Sequence, residues 1–266
     1  IMVEYIRKHY GPKRIAIVDT DCHHGDGTQE IYWHDPNTLC ISIHQDGRTL
    51  YPGSGFTDEF GGPNALGMTV NIPLPPRTSD EGFLYVLEKV IMPILDEFKP
   101  DLVINSAGQD NHYTDPITNM RFSAQGYARL NEILAPDIAV LEGGYSIEKA
   151  LPYVNVGIIL AMAGLDYSRV REPGYRPEDF RETPENMEYV KRLAESLRGV
   201  WNDRERLGKR AYPRLEKFEE TGRSIYYDTD GIREQRRESA RLCGECPGYQ
   251  VIRSSGTGPD ARTRTV

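Results

Sequence analysis

The sequence is poor in cysteine, has no excess of basic residues and contains no long apolar run. Its 266 residues include four cysteines, and Cys22 and Cys40 lie in apolar segments, which does not fit a secreted disulfide framework. The 40 Asp and Glu residues outnumber the 32 Lys and Arg residues, which argues against a general electrostatic affinity for nucleic acid or an anionic membrane. No segment approaches the roughly 20 apolar residues that span a bilayer. We therefore expect a cytoplasmic protein with no nucleic-acid or membrane partner.

The length and the hydrophobic content of 38% predict one large domain with an appendage. We expect a main domain over residues 1–170, a charged helical extension over 171–242 and a disordered tail over 243–266. In the extension, apolar residues from Met187 to Trp201 recur at helical spacing, which favours a helix packed on the main domain. The chain opens inside a predicted helix that has no capping residue, so we expect that a natural amino-terminal part precedes it.

The end of the chain offers weaker signals. Residues 222–230 are typical of a turn-like connector, and residues 231–241 predict a charged helix. Cys243 and Cys246 form half of a zinc ribbon, but a ribbon needs a second cysteine pair. Because Cys22 and Cys40 lie in predicted strands, we expect the pair to be unpartnered unless residues beyond Val266 complete it.

Apolar runs alternate with helical patterns along the main domain. The predicted strands cover residues 15–18, 38–44, 68–74, 102–107 and 137–141. The longest helical pattern opens with a capping box at Thr78–Glu81, is kinked by Pro93 and ends near Phe98. Strands that alternate with helices predict a mostly parallel sheet with helices on both faces, which is a three-layer α/β fold.

Polar side chains follow three of these strands at the point where each strand ends. The first strand leads into Asp19–Asp26, a segment so dense in carboxylates and imidazoles that it predicts a bound cation. Asp110 follows the fourth strand, and Tyr145 follows the fifth on a Gly-Gly turn. In open α/β sheets, ligands bind at the carboxyl ends of the strands. The sequence therefore predicts an active site with a metal ion at this edge.

Four segments between Ile1 and about Tyr167 resemble, in the same order, the motifs of the histone deacetylase superfamily. That superfamily includes acetoin-utilisation proteins and acetylpolyamine amidohydrolases. The segments are IVDTDCHHGDGTQEIY, ISIHQDGRTLYPGSG, INSAGQDNHYTDP and LEGGYS. The resemblance implies an arginase/deacetylase-type fold. It also implies a metal-dependent amide hydrolase that removes acetyl groups from acetyl-lysine or a related acetylated amine.

The resemblance also implies a role for individual residues. Asp21, His23 and Asp110 would bind Zn²⁺ or Fe²⁺, which activates a water for attack on the amide. Tyr145 would donate its hydroxyl to the developing oxyanion. Asp19 and Asp26 would orient catalytic histidines.

Further implied sites surround this centre. A structural K⁺ would be held by side-chain or backbone atoms of Asp19, Asp21, His23, Ser42 and Ile43. Tyr51 is expected to form a wall of the substrate tunnel. Gly108 and Gly144 are expected where the substrate approaches the backbone closely.

One part of the family pattern is not matched. Catalysis in the family uses a tandem His-His pair as general base and acid, whereas the only adjacent pair here, His23-His24, belongs to the metal motif. His112 follows Asp110 by two residues, and a role behind the ligands or on the surface is favoured over ligation. We therefore expect this chain alone to be inactive, although the full-length protein is a hydrolase.

Other functions fit the same residues. One is an acetylpolyamine or other small-amide hydrolase, and another is a catalytically dead, deacetylase-like binding module. A two-metal, arginase-like enzyme is disfavoured because no residues suit its second metal. The sequence does not define the oligomeric state.

Overall fold

The structure, a computed structural model, describes residues 1–11, 14–211, 218–227, 231–241, 249–258 and 263–265. The α-helices of this part of the chain are α1 (Met2–Tyr10), α2 (Asp26–Tyr32), α3 (Asp80–Val86), α4 (Met92–Phe98), α5 (Ala124–Leu134), α6 (Leu151–Met162) and α7 (Pro184–Ala211). The strands are β1 (Ile15–Asp19), β2 (Thr38–Gln45), β3 (Thr69–Leu74), β4 (Leu102–Ala107), β5 (Ile138–Leu141), β6 (Phe218–Tyr227), β7 (Ile232–Arg241), β8 (Tyr249–Thr257) and β9 (Thr263–Thr265).

A five-stranded parallel sheet with the order β3-β2-β1-β4-β5 forms the centre of the molecule. The chain moves outward from β1 through β2 to β3 and then crosses to β4 on the other side of β1. The carboxyl ends of β1 and β4 are therefore the topological switch point of the sheet. Asp19, the last residue of β1, pairs with Ser42 on β2 and with Ser106 on β4. The predicted parallel α/β fold is confirmed.

Helices cover both faces of this sheet, and side chains of β1 point alternately to each. Ala16 and Val18 belong to the larger core, which contains apolar residues of α3 to α7. Ile15 and Ile17 belong to a smaller core, which contains Val3 of α1 and Tyr32 at the end of α2. Because both faces are covered, β1 is buried throughout, as its unbroken apolar run predicts.

The predicted helix over residues 78–98 is interrupted. Between α3 and α4, residues Leu87–Ile91 form a π-helical turn just before Pro93. Proline lacks an amide hydrogen and its ring clashes with the preceding turn, and the wider π turn accommodates both effects. The predicted capping box does not form, because the Thr78 hydroxyl donates to the Pro75 carbonyl and the Glu81 carboxylate accepts from the Glu182 amide.

The carboxyl-terminal extension is helical only in its first part. The predicted apolar stripe lies on α7, which packs against α3 and β3, and Trp201 is 2% exposed. The helix predicted over 231–241 is wrong, because these residues form β7, paired antiparallel with β6 and β8. The connector predicted over 222–230 lies largely in β6, and residues 249–257 of the predicted disordered tail form β8. Cys243 and Cys246 lie outside the described residues.

Helix α6 is the most apolar helix of the main domain, and it leaves Val156 and Ile159 exposed to solvent. Among the described residues, no helix is both long enough and apolar enough to cross a bilayer.

Replacing Trp201 by alanine should destabilise the protein. Its indole nitrogen donates to Glu97 Oε2 at 2.6 Å, and the guanidinium carbon of Arg204 lies 4.1 Å from the ring centroid. Removing this buried side chain should lower the free energy of unfolding by about 3–5 kcal/mol, measured by urea denaturation. The exposed neighbour Asn202 provides the control, since Asn202→Ala should change the value by less than about 0.5 kcal/mol. Equal stability of the two variants would contradict the packing of α7.

Candidate metal and active site

The structure brings the three predicted metal ligands together at the switch point of the sheet. Asp21 and His23 follow β1, Asp110 follows β4, and one potential ligand atom from each residue lies within 4.8 Å of the others. His23 Nδ1 lies 2.8 Å from Asp110 Oδ2 and 3.2 Å from Asp21 Oδ1. Asp21 and Asp110 are buried, and His23 is partly exposed. The triad is thus open to solvent on the side of the imidazole.

Backbone amides fix the direction of both carboxylates. Asp21 Oδ1 accepts from the His23 amide at 2.8 Å, and Asp21 Oδ2 accepts from the Gly143 amide at 2.7 Å. Asp110 Oδ1 accepts from the Cys22 amide at 2.8 Å. These hydrogen bonds leave Asp110 Oδ2 directed at His23 Nδ1. The ligand geometry is therefore set by main-chain groups of two separate loops, those after β1 and β5, which is a rigid form of support for a metal site.

The electrostatics of the triad suit a divalent cation. Hydrogen bonds to Asp110 and Asp21 raise the pKa of His23 to about 10. Burial is the main reason that the pKa of Asp110 is raised, whereas at Asp21 hydrogen bonds from His23 and backbone amides outweigh burial and lower the pKa. Both carboxylates therefore lie within hydrogen-bond distance of the same nitrogen, His23 Nδ1. This donor set of two oxygens and one nitrogen fits a catalytic Zn²⁺ or Fe²⁺ with open positions.

Two glycines allow the loops to close around Asp21. A Cβ atom on Gly143 would lie 2.6 Å from both Asp110 Oδ2 and Asp21 Oδ2, and one on Gly108 would lie 2.2 Å from Asp21 Oδ2. Neither position can carry a side chain without moving a ligand carboxylate. Gly108 is thus required by Asp21, and its predicted contact with substrate stays a prediction.

Tyr145 stands beside the triad at the surface. The residue is 49% exposed, and its ring centroid lies 6.5 Å from that of His23 with the two planes nearly perpendicular. Partial burial and the carboxylates of Asp110 and Asp21 raise the pKa of Tyr145. The hydroxyl therefore keeps its proton at neutral pH and can act as a hydrogen-bond donor. Gly144, the residue before it, has a φ of +152° and packs against Leu151.

The predicted K⁺ ligands lie on the adjacent ends of β1 and β2. Asp19 is buried, accepts a hydrogen bond from the Asp21 amide at 3.0 Å, and has a pKa raised chiefly by burial. Ser42 pairs with Asp19, and its hydroxyl lies 2.9 Å from His44 Nδ1. Ile43 follows on the same strand and is fully buried. The positions are compatible with a cation, and potassium binding stays a prediction.

The structure does not bring the remaining predicted residues to the triad. Asp26 is exposed at the start of α2 and lines a cleft with Arg223 and Tyr227 of β6. Tyr51 is 72% exposed in the loop after β2. His24 is engaged elsewhere, with Ser54 Oγ at 2.9 Å and Gln29 Oε1 at 3.0 Å. The roles predicted for Asp26 and Tyr51 stay predictions.

Sequence reasoning missed the residues that hold the Tyr145 loop. The Tyr145 amide donates to Asp115 Oδ2 at 2.9 Å, and the Ser146 hydroxyl lies 2.7 Å from Thr114 Oγ1. Asp115 precedes a proline and accepts from the Ile117 amide at 3.1 Å. The Asp-Pro pair in the sequence could therefore have indicated a turn at this position. Glu172, which contacts His112, had no local signal because it lies 60 positions further along the chain.

The fold and the triad define an α/β protein with a candidate metal site at the switch point of its sheet. The sequence profile of the histone deacetylase domain matches residues 1–157. A probable deacetylase of Archaeoglobus fulgidus is 53% identical over 188 residues, which cover 67% of this chain and 52% of that protein. The acetoin utilization protein AcuC of Bacillus subtilis is 37% identical over 175 residues, covering 62% of this chain and 45% of that protein.

Solved structures agree with these sequence matches. The histone deacetylase Clr3 superposes with a TM-score of 0.61 at 30% identity, covering 72% of this chain and 33% of that one. The HD domain of HDA15 superposes with a TM-score of 0.64 at 27% identity, covering 80% of this chain and 58% of that one. The chain therefore belongs to the histone deacetylase family. It spans about half the length of the curated relatives that it matches.

Replacing Gly143 by alanine should weaken metal binding. The added methyl group would overlap Asp21 Oδ2 and Asp110 Oδ2, so one carboxylate must turn away. We expect the affinity for Zn²⁺ to fall about 10- to 100-fold, measured by isothermal titration calorimetry. Gly27→Ala is the matched control, because nothing lies within 4 Å of a Cβ atom there. Equal affinities in both variants would show that these carboxylates are not the ligands.

Replacing His44 by glutamine should change how stability depends on pH. Burial, with the nearby His24, lowers the pKa of His44 to about 3 from its ordinary value of 6.5. The neutral imidazole therefore contributes stability that is present above pH 6.5 and is lost as the pH falls toward 3. Glutamine can bond both Ser42 and Gly55 without titrating.

Urea denaturation of the unsubstituted protein and of His44→Gln over this pH range tests the effect. The free energy of unfolding should fall more steeply for the unsubstituted protein. Parallel curves would show that His44 does not stay neutral in the folded state.

Proposed function

We propose that this chain carries the metal-binding half of a zinc-dependent deacetylase that acts on acetyl-lysine or a related acetylated amine. The observation that carries the proposal is the triad of Asp21, His23 and Asp110 beside the half-exposed residue Tyr145. Membership of the histone deacetylase family supports a deacetylase function. Zinc, the acetylated substrate and the inactivity of the chain alone are proposals.

Each residue of the site would have a separate role in the proposed reaction. Asp21, His23 and Asp110 would hold Zn²⁺, or Fe²⁺, and the bound ion supplies a Lewis acid that polarises the substrate carbonyl. Tyr145 would donate its hydroxyl hydrogen to the carbonyl oxygen as negative charge develops on it. The raised pKa of Tyr145 supports this role, because a protonated hydroxyl is the form that donates. Asp19 and Ser42 would hold a structural K⁺ behind the triad.

Among the residues that the structure describes, we assign no general base. His24 contacts Ser54 and Gln29, His44 contacts Ser42 and Gly55, and His112 contacts Thr114 and Glu172. Each of these imidazoles thus has partners outside the triad. This supports the proposal that the chain alone releases no acetate at a sizeable rate. It also keeps a deacetylase-like binding module as a second candidate.

The test begins with metal content and the ligand variants. The unsubstituted chain should take up one Zn²⁺ per molecule in elemental analysis after dialysis. Asp21→Ala and Asp110→Ala should each lose it, because either change removes a ligand. Tyr145→Phe should keep the metal, since its hydroxyl is not a ligand. Unchanged metal content in both ligand variants would refute the assignment.

Activity then separates an enzyme from a binding module. In a longer protein that contains these residues and the family's tandem histidines, Zn²⁺-dependent acetate release from an acetyl-lysine peptide is expected. Tyr145→Phe should lower kcat about 10²- to 10³-fold there. Metal uptake without acetate release from acetyl-lysine or acetylpolyamine would favour the binding module. Faster release from acetylpolyamine would favour a small-amide hydrolase.

A further inference from the structure

Tyr145 is held in place through its backbone and its neighbour. Its amide donates to Asp115 Oδ2 at 2.9 Å, and the hydroxyl of Ser146 lies 2.7 Å from that of Thr114. Two consecutive residues of the tyrosine loop are thus tied to two consecutive residues of one turn. Because Tyr145 is 49% exposed, packing alone constrains it little. The position of the Tyr145 hydroxyl therefore depends on the hydrogen bonds of its own amide and of the Ser146 hydroxyl.

The turn that holds the tyrosine begins two residues after the ligand Asp110. Residues 112–115 are closed by a hydrogen bond from the Asp115 amide to the His112 carbonyl at 2.8 Å. Thr114 contributes its amide and its hydroxyl to His112 Nδ1, at 3.2 Å and 2.9 Å. Asp115 is 8% exposed. A short, closed segment thus connects a metal ligand to the loop of the proposed oxyanion donor.

Glu172 anchors this turn from a distant part of the chain. Because His112 Nδ1 accepts from the Thr114 amide, the other ring nitrogen, Nε2, carries the hydrogen and donates to Glu172 Oε1 at 3.2 Å. The side chains of His112 and Glu172 are 0% and 1% exposed. Glu172 Oε1 also accepts from the Ala124 amide at the start of α5, at 3.2 Å. The imidazole is thus fixed between a carboxylate and its own turn.

We propose that residues 112–115, anchored by Glu172, are a positioning element that sets the place of Tyr145 relative to the metal ligands. Asp115 and Thr114 are its two contacts with the tyrosine loop, and none of its residues touches the reacting atoms. The inference rests on the proposed function for the role of Tyr145, but the contacts themselves do not. It assigns His112 a structural task behind the site in place of metal ligation.

Two matched pairs of variants test the element in the full chain. Asp115→Ala removes the acceptor of the Tyr145 amide, whereas Asp115→Asn keeps an oxygen there. Thr114→Val removes the hydroxyl with little change of shape, whereas Thr114→Ser keeps it. The readouts are hydrogen exchange of the Tyr145 amide and the ¹⁹F spectrum of 3-fluorotyrosine placed at position 145. Zn²⁺ content is measured in the same samples.

The two variants that remove a contact, Asp115→Ala and Thr114→Val (the removing variants), should expose the Tyr145 amide or make the Tyr145 ring more mobile while the metal stays bound. We expect exchange of the Tyr145 amide to accelerate roughly tenfold in Asp115→Ala, and the ¹⁹F resonance to shift or broaden in both Asp115→Ala and Thr114→Val. Asp115→Asn and Thr114→Ser should stay within about twofold of the unsubstituted chain. In a longer, active protein, the removing variants should lower kcat about tenfold or more and leave KM within about twofold.

Two results would overturn the proposal. One is unchanged exchange and an unchanged ¹⁹F resonance in both removing variants. The other is loss of Zn²⁺ in these variants, which would mean that the turn supports Asp110 and not Tyr145. Failure of the proposed function would instead appear as no Zn²⁺ uptake by the unsubstituted chain, and the exchange and ¹⁹F comparisons would still decide the positioning role.

Discussion

The rest of the structure depends on keeping two buried carboxylates directed at one imidazole nitrogen. Asp21 and Asp110 both lose most of their water, and such groups are costly to bury unless hydrogen bonds and an opposite charge compensate them. The compensation comes from amides of Cys22, His23 and Gly143 and from the ring of His23. Each amide belongs to a loop that leaves the carboxyl end of a parallel strand, so the sheet itself determines the geometry.

This constraint explains why the surroundings of the triad are so closely packed. The order β2-β1-β4-β5 brings the loops after β1, β4 and β5 to one edge, and glycines at positions 108 and 143 let them meet without side chains between them. The hydrogen bond between the Gln109 amide and the Gly143 carbonyl, at 2.6 Å, joins the second and third loops directly. The family relationship and the packing agree, because the profile match covers all three loops.

Much of this arrangement could be predicted from the sequence, because local signals were strong where burial was complete. The five strands of the main sheet are apolar runs bounded by turn residues, and each observed bound lies within one residue of the predicted one. The triad followed from residue types at strand ends together with the family motifs. The sequence favoured a role for His112 behind the ligands, and its partner Glu172 could not be found from spacing.

The carboxyl-terminal sheet was missed for a physical reason. Residues 232–241 contain six charged residues that suit a solvated helix, and β-pairing depends on partner strands that no local pattern shows. In the structure, Arg223 and Arg236 of this sheet pair with Glu30 on α2. Charged side chains of this segment that were expected to face solvent therefore form ion pairs with the main domain. The failed capping box has a similar cause, since the Glu81 carboxylate accepts from the amide of Glu182, which lies far along the chain.

The contact between His112 and Glu172 has a consequence for how this chain can be divided. Glu172 lies after α6 and beyond the matched family region, yet it reaches a turn that begins beside a metal ligand. A fragment ending at α6 would keep every residue of the triad and still lack the carboxylate that fixes His112. The region that the family profile matches is therefore shorter than the region whose contacts support the site. Grafting the site onto another scaffold would require the segment that contains Glu172 as well as the strand-end loops.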